Sequence, residues 1–196
     1  MSNELDDLLP ALKAGSDRAF AVLVRTMEGP VVRFVLRLAG SRAVAEEVAQ
    51  ETFVQVYKRV GEFREDCKLS SWVYRIALNL AKNSRRAQKA RPEFAQHAPS
   101  AEHGSAPPPG AAVAGTDAEP HARAEGHETE RLVRQVLAEM PDEFRESLIL
   151  CDLEDLAYDE ISEIVNAPVG TVKSRIARGR AMLKERLAAH LGERVP

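Results

Sequence analysis

Two cysteines, ten aromatic residues and no long apolar run restrict what this chain of 196 residues can be. Cys67 and Cys151 stand 84 positions apart, which excludes a disulfide framework and matches none of the spacings typical of a cysteine metal site. The longest apolar run, residues 19–24, has six residues, whereas a membrane-spanning helix needs roughly 20. With so few aromatic side chains, the core must consist mainly of Leu, Val, Ile and Ala.

The amino terminus also lacks the features of a signal peptide. The first ten residues include Glu4, Asp6 and Asp7, where a signal peptide requires positive charge followed by an apolar stretch. Hydrophobic residues make up 44% of the chain and charged residues 29%, values typical of a folded protein. We therefore expect a cytoplasmic protein that is not inserted in a membrane.

The net charge of −3 conceals a strong segregation of charge along the sequence. Residues 64–91 carry a net charge of +6 and residues 171–186 carry +5, whereas residues 128–170 carry −9. Two basic blocks in an acidic chain are typical of contacts with a polyanion such as nucleic acid. A net-acidic chain should nevertheless bind free DNA weakly, because non-specific affinity grows with the number of phosphates neutralised. We therefore expect a further partner that holds the chain on its target.

Residues 92–127 are predicted to form a flexible linker. Of these 36 residues, 20 are Pro, Ala or Gly, and such a segment cannot bury enough apolar surface to offset the entropy lost on ordering. It contains four of the five histidines, but their irregular spacing does not indicate a metal site. The linker separates a predicted N-terminal domain, residues 1–91, from a predicted C-terminal domain, residues 128–192.

Apolar residues recur at helical spacing in both predicted domains. One stripe in the first domain consists of Val48, Thr52, Phe53, Val56, Tyr57 and Val60. The second domain repeats the pattern in residues 132–140 and 148–165. Because no segment alternates with a period of two, we predict an all-α protein made of two small helical domains.

Residues 158–187 have the form of a helix-turn-helix. A short amphipathic helix over about 158–165 would end in a turn, because Asn166 accepts a left-handed conformation and Pro168 cannot continue the helix. The second helix would pack Val172 and later apolar residues inward. Its polar face, which would contact base edges and phosphates, comprises Thr171, Lys173, Ser174, Arg175, Arg178 and Arg180.

A second basic helix is predicted within residues 63–86. Helical spacing places Trp72 inward as a core residue and leaves the polar side chains on other faces. A polar loop, residues 66–71, precedes the helix, and two arginines end it. Basic side chains with neighbouring amides and hydroxyls suit a strand backbone and an unstacked base.

Three segments, in this order, resemble those of the extracytoplasmic-function sigma factors, the small alternative promoter-specificity subunits of bacterial RNA polymerase. The family's clamp-binding segment is similar to AEEVAQETFVQVYKRV, residues 45–60. Its promoter-melting and −10-reading segment is similar to FREDCKLSSWVYRIALNLAKN, residues 63–83. Its −35-binding domain is similar to residues 140–183, which contain the helix-turn-helix. The resemblance thus covers both domains from about residue 17 onward.

The resemblance implies a protein that binds the clamp and flap of core RNA polymerase and directs it to a subset of promoters. It implies no catalytic activity, metal or cofactor, and it implies regulation by an anti-sigma factor. The expected contacts with the polymerase clamp are Glu46, Glu47, Gln50, Glu51 and Phe53. The expected −10 contacts include a loop that captures a flipped base, with Asn79 nearby; the whole set is Lys68, Leu69, Ser70, Ser71, Trp72, Arg75, Asn79, Lys82, Asn83, Arg85 and Arg86. The polar face of the helix-turn-helix would bind the −35 element.

The sequence departs from the family's pattern at three positions. Val44 stands where an acidic residue usually opens the clamp-binding segment, Asn166 replaces the usual turn glycine, and Gly179 replaces an alanine between two arginines. A glycine inside a helix costs about 1 kcal/mol relative to alanine, so Gly179 indicates close packing or local weakness. None of the three changes removes a basic side chain.

Two other classes of protein remain as alternatives. A stand-alone helix-turn-helix regulator that binds operator DNA without polymerase would explain residues 158–187 but leave residues 45–86 without a role. An enzyme would have to use Cys67 as a nucleophile and His190 as a base, and no motif brings them together. The two cysteines could also form a redox switch, although one exposed loop cysteine and one core cysteine are the simpler explanation.

Overall fold

The computed structural model describes residues 2–90 and 131–192, and these residues form helices and connecting turns without a strand. The predicted all-α class is therefore confirmed for them. The linker predicted at 92–127, with its histidines, lies outside the described residues.

The N-terminal domain, residues 2–90, contains five α-helices: α1 (Ser2–Asp6), α2 (Leu9–Lys13), α3 (Asp17–Ala39), α4 (Arg42–Arg59) and α5 (Leu69–Ala90). A 3-10 turn, Val60–Glu62, follows α4. In the C-terminal domain, residues 131–192, helical residues 131–139 (α6) precede α7 (Asp142–Asp152), α8 (Tyr158–Val165) and α9 (Val169–Gly192).

Local sequence explains where the two long helices α3 and α4 begin and end. The Ser16 hydroxyl accepts a hydrogen bond from the Ala19 amide at 3.3 Å and caps α3. Gly40 ends α3 in the left-handed conformation, with φ of 72°, which glycine adopts without a steric cost. Ser41 then caps α4, so two residues reverse the chain and the two helices become neighbours.

Helices α3, α4 and α5 pack against one another to form the core of the N-terminal domain. Leu23, Phe34, Val56 and Leu78 are almost completely buried there. The first amide of α5, at Leu69, donates to the Asp6 carboxylate at 2.9 Å. Asp6 therefore caps α5 from a distant part of the chain, and this capping residue was not apparent in the sequence before α5.

The C-terminal domain has the predicted helix-turn-helix geometry. Asn166 ends α8 in the left-handed conformation, with φ of 51°, and the Pro168 carbonyl accepts the Thr171 amide at the start of α9. At Gly179, an added Cβ would lie 3.3 Å from the Phe144 carbonyl oxygen on α7. Of the two explanations that the sequence left open for this glycine, close packing is the one that this contact supports.

The two domains also pack against each other. Helix α5 contacts α8, and α3 contacts α7, so buried apolar residues of both domains form one continuous cluster. This arrangement places the basic helix of the N-terminal domain against the acidic half of the C-terminal domain.

Candidate nucleic-acid and protein interfaces

Helix α9 shows the division between buried and exposed faces that the sequence predicts for a recognition helix. Val172 and Ile176 are buried against α7 and α8, whereas Lys173, Ser174 and Arg178 are exposed. The Lys173 ammonium lies 6.0 Å from the centroid of the Tyr158 ring, within the range of a cation–π contact. The first turns of α9 therefore present basic and hydroxyl groups to solvent.

Two arginines of the same helix bind acidic residues of α7. Arg175 lies 3.5 Å from the Glu143 carboxylate, and the Arg180 Nε donates to Asp152 Oδ2 at 2.9 Å. The hydrogen bond from Arg180 lowers the pKa of the Asp152 carboxyl. Arg180 thus joins α9 to α7, a role that the sequence did not indicate, and its contact with DNA stays a prediction.

The polar loop before α5 is shorter than predicted. It ends at Lys68, because Asp6 caps a helix that begins at Leu69. Leu69, Ser70 and Ser71 are consequently buried residues of the first turn, and their description as loop residues was wrong. The Ser71 hydroxyl oxygen has no hydrogen-bond partner among the described residues, a costly situation for a buried polar group.

Trp72 is a core residue, as predicted, and it also forms one wall of a polar pocket. Its ring lies 5.2 Å from that of Phe63, and a cavity of about 420 Å³ opens beside the two rings. The other residues that line it are Arg59, Glu62, Arg64, Asp66 and Arg75. Two aromatic walls with several donors and acceptors suit a small planar polar group. Asn79, which was predicted to lie near the base-binding loop, does not line this pocket.

The basic residues along α5 are in contact with carboxylates of the C-terminal domain. The Lys82 ammonium lies 2.8 Å from Glu146, and Arg85 pairs with Asp142. Just before the helix, Lys68 lies 2.7 Å from Glu160. Asn79, Asn83 and Arg86 are exposed. The acidic partners were not predicted, although the opposite net charges of residues 64–91 and 128–170 were a usable signal.

A further carboxylate, Glu154, is buried between the domains. It accepts hydrogen bonds from Arg37 at 2.6 Å and from the Tyr74 hydroxyl at 3.0 Å, and only 4% of its side chain is exposed. Burial raises the pKa of Glu154 and outweighs the opposite effects of Tyr74 and Arg37. We refer to Asp142, Glu146, Glu154 and Glu160 as the acidic face.

Residues predicted to bind different DNA elements line one cleft between the domains. The cleft has a volume of about 720 Å³. Lys82, Arg85 and Arg86 of α5 lie on one side, and Arg175 of α9 lies on the other. The acidic residues Asp142 and Glu146 line it as well. Both predicted DNA-binding helices therefore contribute to the same open cleft.

Helices α3 and α4 form an apolar groove on another side of the N-terminal domain. It has a volume of about 880 Å³ and is lined by Phe20, Val24, Val32, Leu36, Phe53, Val54 and Tyr57, with Glu46 and Gln50 among the polar residues. Val54 is 42% exposed and Tyr57 53%, so Tyr57 does not belong to the buried stripe in which the sequence pattern placed it. Its ring instead lies 5.0 Å from that of Phe20 across the groove.

The structure brings together only some of the predicted clamp contacts in this groove. Glu46, Gln50 and Phe53 line it, whereas Glu47 and Glu51 are exposed on α4 outside it. The apolar residues of α3 and the exposed Val54 were not predicted as functional. Helical periodicity alone could not identify them, because the groove depends on the packing of α3 against α4.

Nothing in the described ranges, 2–90 and 131–192, forms a cluster of three or more His, Cys, Asp or Glu side chains suited to a metal ion. No helix in that part of the chain is both long enough and apolar enough to cross a membrane. Cys67 and Cys151 are free thiols, each half-buried. Burial raises the pKa of both thiols, which makes them less reactive at neutral pH.

Comparison with known proteins defines the class to which this fold and these surfaces belong. Residues 23–91 match the family profile of sigma-70 region 2, and residues 130–183 match that of sigma-70 region 4. The first match contains α5 and most of the groove, and the second contains most of the helix-turn-helix. A sigma-70-type factor is therefore the class of protein that both domains define.

Curated relatives make the assignment specific. The RNA polymerase sigma-H factor of Pseudomonas aeruginosa is 32% identical over 95% of each chain. The ECF RNA polymerase sigma-E factor of Haemophilus influenzae is 33% identical over 95% of this chain and 98% of its own. The ECF RNA polymerase sigma factor SigW of Bacillus subtilis is 33% identical over 90% of this chain and 92% of its own. The chain belongs to the extracytoplasmic-function (ECF) RNA polymerase sigma factors.

Solved structures share the fold. CnrH, in complex with the cytosolic domain of CnrY, has a TM-score of 0.69 at 22% identity and covers 94% of this chain and 98% of its own. The sigma factor RpoE of Bartonella quintana, in complex with the anti-sigma factor NepR, has a TM-score of 0.60 at 21% identity. The match covers 86% of this chain and 96% of the RpoE chain. The match to region 2 as well as region 4 favours a sigma factor over a stand-alone helix-turn-helix regulator.

Proposed function

We propose that this ECF sigma factor binds core RNA polymerase and reads two promoter elements, one with each domain. The observation that carries the proposal is the combination of an exposed apolar groove with two basic helices in one chain. An exposed apolar groove lies between α3 and α4, a basic helix follows it, and a recognition helix belongs to the second domain. The relatives named as RNA polymerase sigma factors support this combination.

The groove between α3 and α4 is the surface proposed to bind the polymerase clamp. Apolar residues that stay exposed in a free protein are typical of a protein interface, and Val54 and Tyr57 have this property. Glu46 and Gln50 at the groove add polar contacts to a basic partner surface. Exposed ion pairs are individually weak, so the aromatic and aliphatic side chains should dominate the affinity. Region 4 would contact the flap.

Helix α5 and the pocket before it are proposed to bind the −10 element. Lys82, Arg85 and Arg86 would contact the backbone of the opened strand, because cations that track phosphates supply most of the affinity for single-stranded DNA. The pocket between Phe63 and Trp72 is proposed to hold the flipped base, since ring stacking and nearby polar groups suit an unpaired base. This location replaces the loop over residues 68–71 as the expected base site.

The first turns of α9 are proposed to read the −35 element. Lys173, Ser174 and Arg178 are exposed where a recognition helix enters the major groove. Thr171 and Arg175 lie beside them and are partly exposed. Base contacts from such side chains specify sequence, whereas contacts to phosphates fix the position of the helix.

The chain is proposed to act in the cytoplasm, where core polymerase is found, and to act without catalysis of its own. The structural relatives CnrH and RpoE form complexes with CnrY and NepR. By analogy, we propose that an anti-sigma factor regulates this chain. Its identity would be established by capture of a partner on the intact protein.

Transcription by purified core RNA polymerase on a library of promoter fragments tests the proposal. Addition of the full-length protein should produce start sites that are absent with core polymerase alone, and alignment of these sites should reveal two conserved elements. Failure of core polymerase to bind the protein, together with a footprint of the protein alone on duplex DNA, would instead support the operator-binding regulator.

A further inference from the structure

Residues 2–13, which we call the arm, lie outside both family matches and have no part in the function proposed above. They form α1 and α2. Leu5, Leu9 and Leu12 anchor the arm, because their side chains are buried in the core of the N-terminal domain. Helix α1 packs against α5, and α2 packs against α3 and the 3-10 turn after α4. The arm therefore contacts both elements that flank the loop of residues 63–68.

This loop supplies part of the proposed base pocket. Phe63, Arg64 and Asp66 are loop residues that line the pocket, and Trp72 and Arg75 of α5 line its other side. The shape of the pocket consequently depends on the path of the loop relative to the first turns of α5. Because the loop forms neither helix nor strand, contacts with other segments must hold it in place.

The first contact between the arm and the loop is at the start of α5. Lys68 occupies the N-cap position, because its carbonyl accepts the Trp72 amide at 3.1 Å. A lysine side chain has no acceptor for the free amides of a first helical turn, so the cap must come from elsewhere. The Asp6 carboxylate supplies it by accepting the Leu69 amide at 2.9 Å. Asp6 thus fixes the point at which the loop ends and the helix that carries Trp72 begins.

The second contact is in the middle of the loop. The Lys13 ammonium lies 2.6 Å from the Glu65 carboxylate, and Glu65 stands between two residues that line the pocket. The Glu65 backbone has a φ of 60°, in the left-handed region that residues other than glycine rarely adopt. Such a conformation persists only where surrounding contacts hold it. The ion pair with the arm is one of these contacts, although an exposed pair contributes little by itself.

We propose that the arm positions the base pocket: Asp6 and Lys13 hold the loop of residues 63–68 in the conformation that receives an unstacked base. The proposal rests on the function proposed above for this pocket. Asp6 and Lys13 are positioning residues, since neither of them lines the pocket. A loop that is fixed before binding loses no further freedom when the base enters. The arm therefore increases the affinity for the base and not the affinity for the DNA backbone.

Trp72 is the only tryptophan of the chain, so its fluorescence reports on the pocket in the full-length protein. Asp6→Ala removes the cap and should raise the constant for acrylamide quenching of Trp72 about twofold, with faster amide hydrogen exchange in residues 63–69. Asp6→Asn keeps an acceptor oxygen and should behave as the wild type, because asparagine caps helices as well as aspartate does. Asp7→Ala is the matched control, since it removes the neighbouring, exposed carboxylate.

The quenching is measured well below the Tm of every variant, so that a loss of stability alone does not change it. Equal quenching in the wild type and Asp6→Ala overturns the proposal. Equal increases in Asp6→Ala and Asp7→Ala also overturn it, because the effect would then be one of net charge. An increase in Asp6→Asn as large as that in Asp6→Ala has the same consequence, since the loss of a cap would not be the cause.

Charge reversal at the second contact gives an independent test that leaves the cap intact. Lys13→Glu should increase the quenching of Trp72, because it places two carboxylates side by side. The double variant Lys13→Glu/Glu65→Lys restores an ion pair and should restore the quenching of the wild type. Both residues are exposed, so this pair of variants decides the matter if Asp6→Ala fails to fold. No increase in the single variant, or no recovery in the double variant, overturns the proposal.

Binding of single-stranded DNA separates the role of the arm from the function of the pocket. The probes are fluorescein-labelled strands of thymidylate, cytidylate or adenylate, each of about 12 nucleotides, and an abasic strand of the same length. Asp6→Ala should weaken binding of the strand that the wild type prefers about threefold, because the loop must then be ordered on binding. It should not change binding of the abasic strand, which the cations of α5 hold through its phosphates.

An equal loss of affinity for the abasic strand overturns the proposal, because the arm would then act on backbone binding. A different result identifies a failure of the pocket's function. If the wild type binds no strand more tightly than the abasic one, while Asp6→Ala and Lys13→Glu change the quenching of Trp72 as expected, the arm positions the loop and the proposed base-binding function fails.

Discussion

The two basic helices of this protein have similar composition but different surroundings. On α9, Lys173 and Arg178 are exposed, and Arg175 and Arg180 form ion pairs with α7 of their own domain. On α5, Lys82 and Arg85 bind carboxylates of the other domain. Lys173 and Arg178 on α9 are therefore open to solvent, whereas Lys82 and Arg85 on α5 are covered by the C-terminal domain.

This difference shows that a basic helix is not equivalent to an available DNA-binding surface. The sequence places similar positive charge in both helices, and that charge attracts either phosphate or carboxylate. Which anion is bound depends on the other domain. This chain therefore holds cations of both basic helices in internal ion pairs, those of α9 within one domain and those of α5 between the domains.

Val54→Asp should have the largest effect. It tests polymerase binding at the groove, a surface that neither of the two basic helices forms. A charge at this exposed apolar position should weaken binding of core polymerase roughly 10- to 100-fold and reduce transcription accordingly. Ala21→Asp adds the same charge on α3 outside the groove and should bind normally. Core polymerase affinity can be measured by fluorescence anisotropy. Equal losses in both variants would argue against the groove as the polymerase site.

Gly179→Leu should have the next largest effect. It should disturb the packing of α9, the more exposed of the two basic helices, against α7. The new side chain would meet the Phe144 carbonyl and Leu148 on α7, and overpacking of this kind costs about 1–3 kcal/mol of stability. Gly170→Leu is the control, because nothing lies within 4 Å of the Cβ position there. Thermal unfolding should show a lower Tm for the first variant only. A normal Tm would contradict the close contact between α7 and α9.

Lys173→Ala and Arg175→Ala test the proposed DNA contacts of α9 without disturbing the fold. Each should reduce −35-dependent transcription about tenfold, the cost of one lost DNA contact, while core polymerase affinity stays unchanged. Lys184→Ala removes an exposed cation farther along α9 and should leave transcription intact. Loss of core polymerase affinity in the two variants would show that this part of α9 binds protein as well.

Glu154→Gln should have the smallest effect. It tests the contact between the two domains through the pH dependence of the protein's stability. Burial raises the folded-state pKa of Glu154 above its ordinary value of 4.5, so the stability that this group contributes is present below that pH and is lost as the pH rises through its folded pKa. The wild type should therefore lose stability relative to the variant above pH 4.5, as measured by urea unfolding at several pH values. A constant difference would contradict burial of the carboxyl; Glu185→Gln serves as the exposed control.

Much of the architecture could be predicted because its causes are local. The helix over Tyr158–Val165, the left-handed Asn166 and the start of α9 follow from periodicity and turn chemistry within a few residues. The burial of Trp72 follows from the same periodicity. The start of α5 was placed wrongly because its cap, Asp6, lies 63 positions earlier in the chain.

The candidate surfaces could be predicted only in part. The exposed residues at the start of α9 were identified, because a recognition helix divides its faces within its own sequence. The groove was identified through α4 alone, since Phe20 and Leu36 of its other wall belong to α3. The pocket beside Phe63 and Trp72 was missed, because no sequence spacing shows that a cavity lies between a loop and a helix.

The sequence by itself determined that this chain is helical, that it has two basic helices and that its matching segments occur in the order found in sigma factors. These properties depend on side-chain spacing along a helix and on the residues that begin and end it. The tertiary structure decided which cations are covered. Lys82 and Glu146 are 64 positions apart, and only the packing of α5 against the C-terminal domain brings them within 2.8 Å, because charge acts over distance in space and not along the chain.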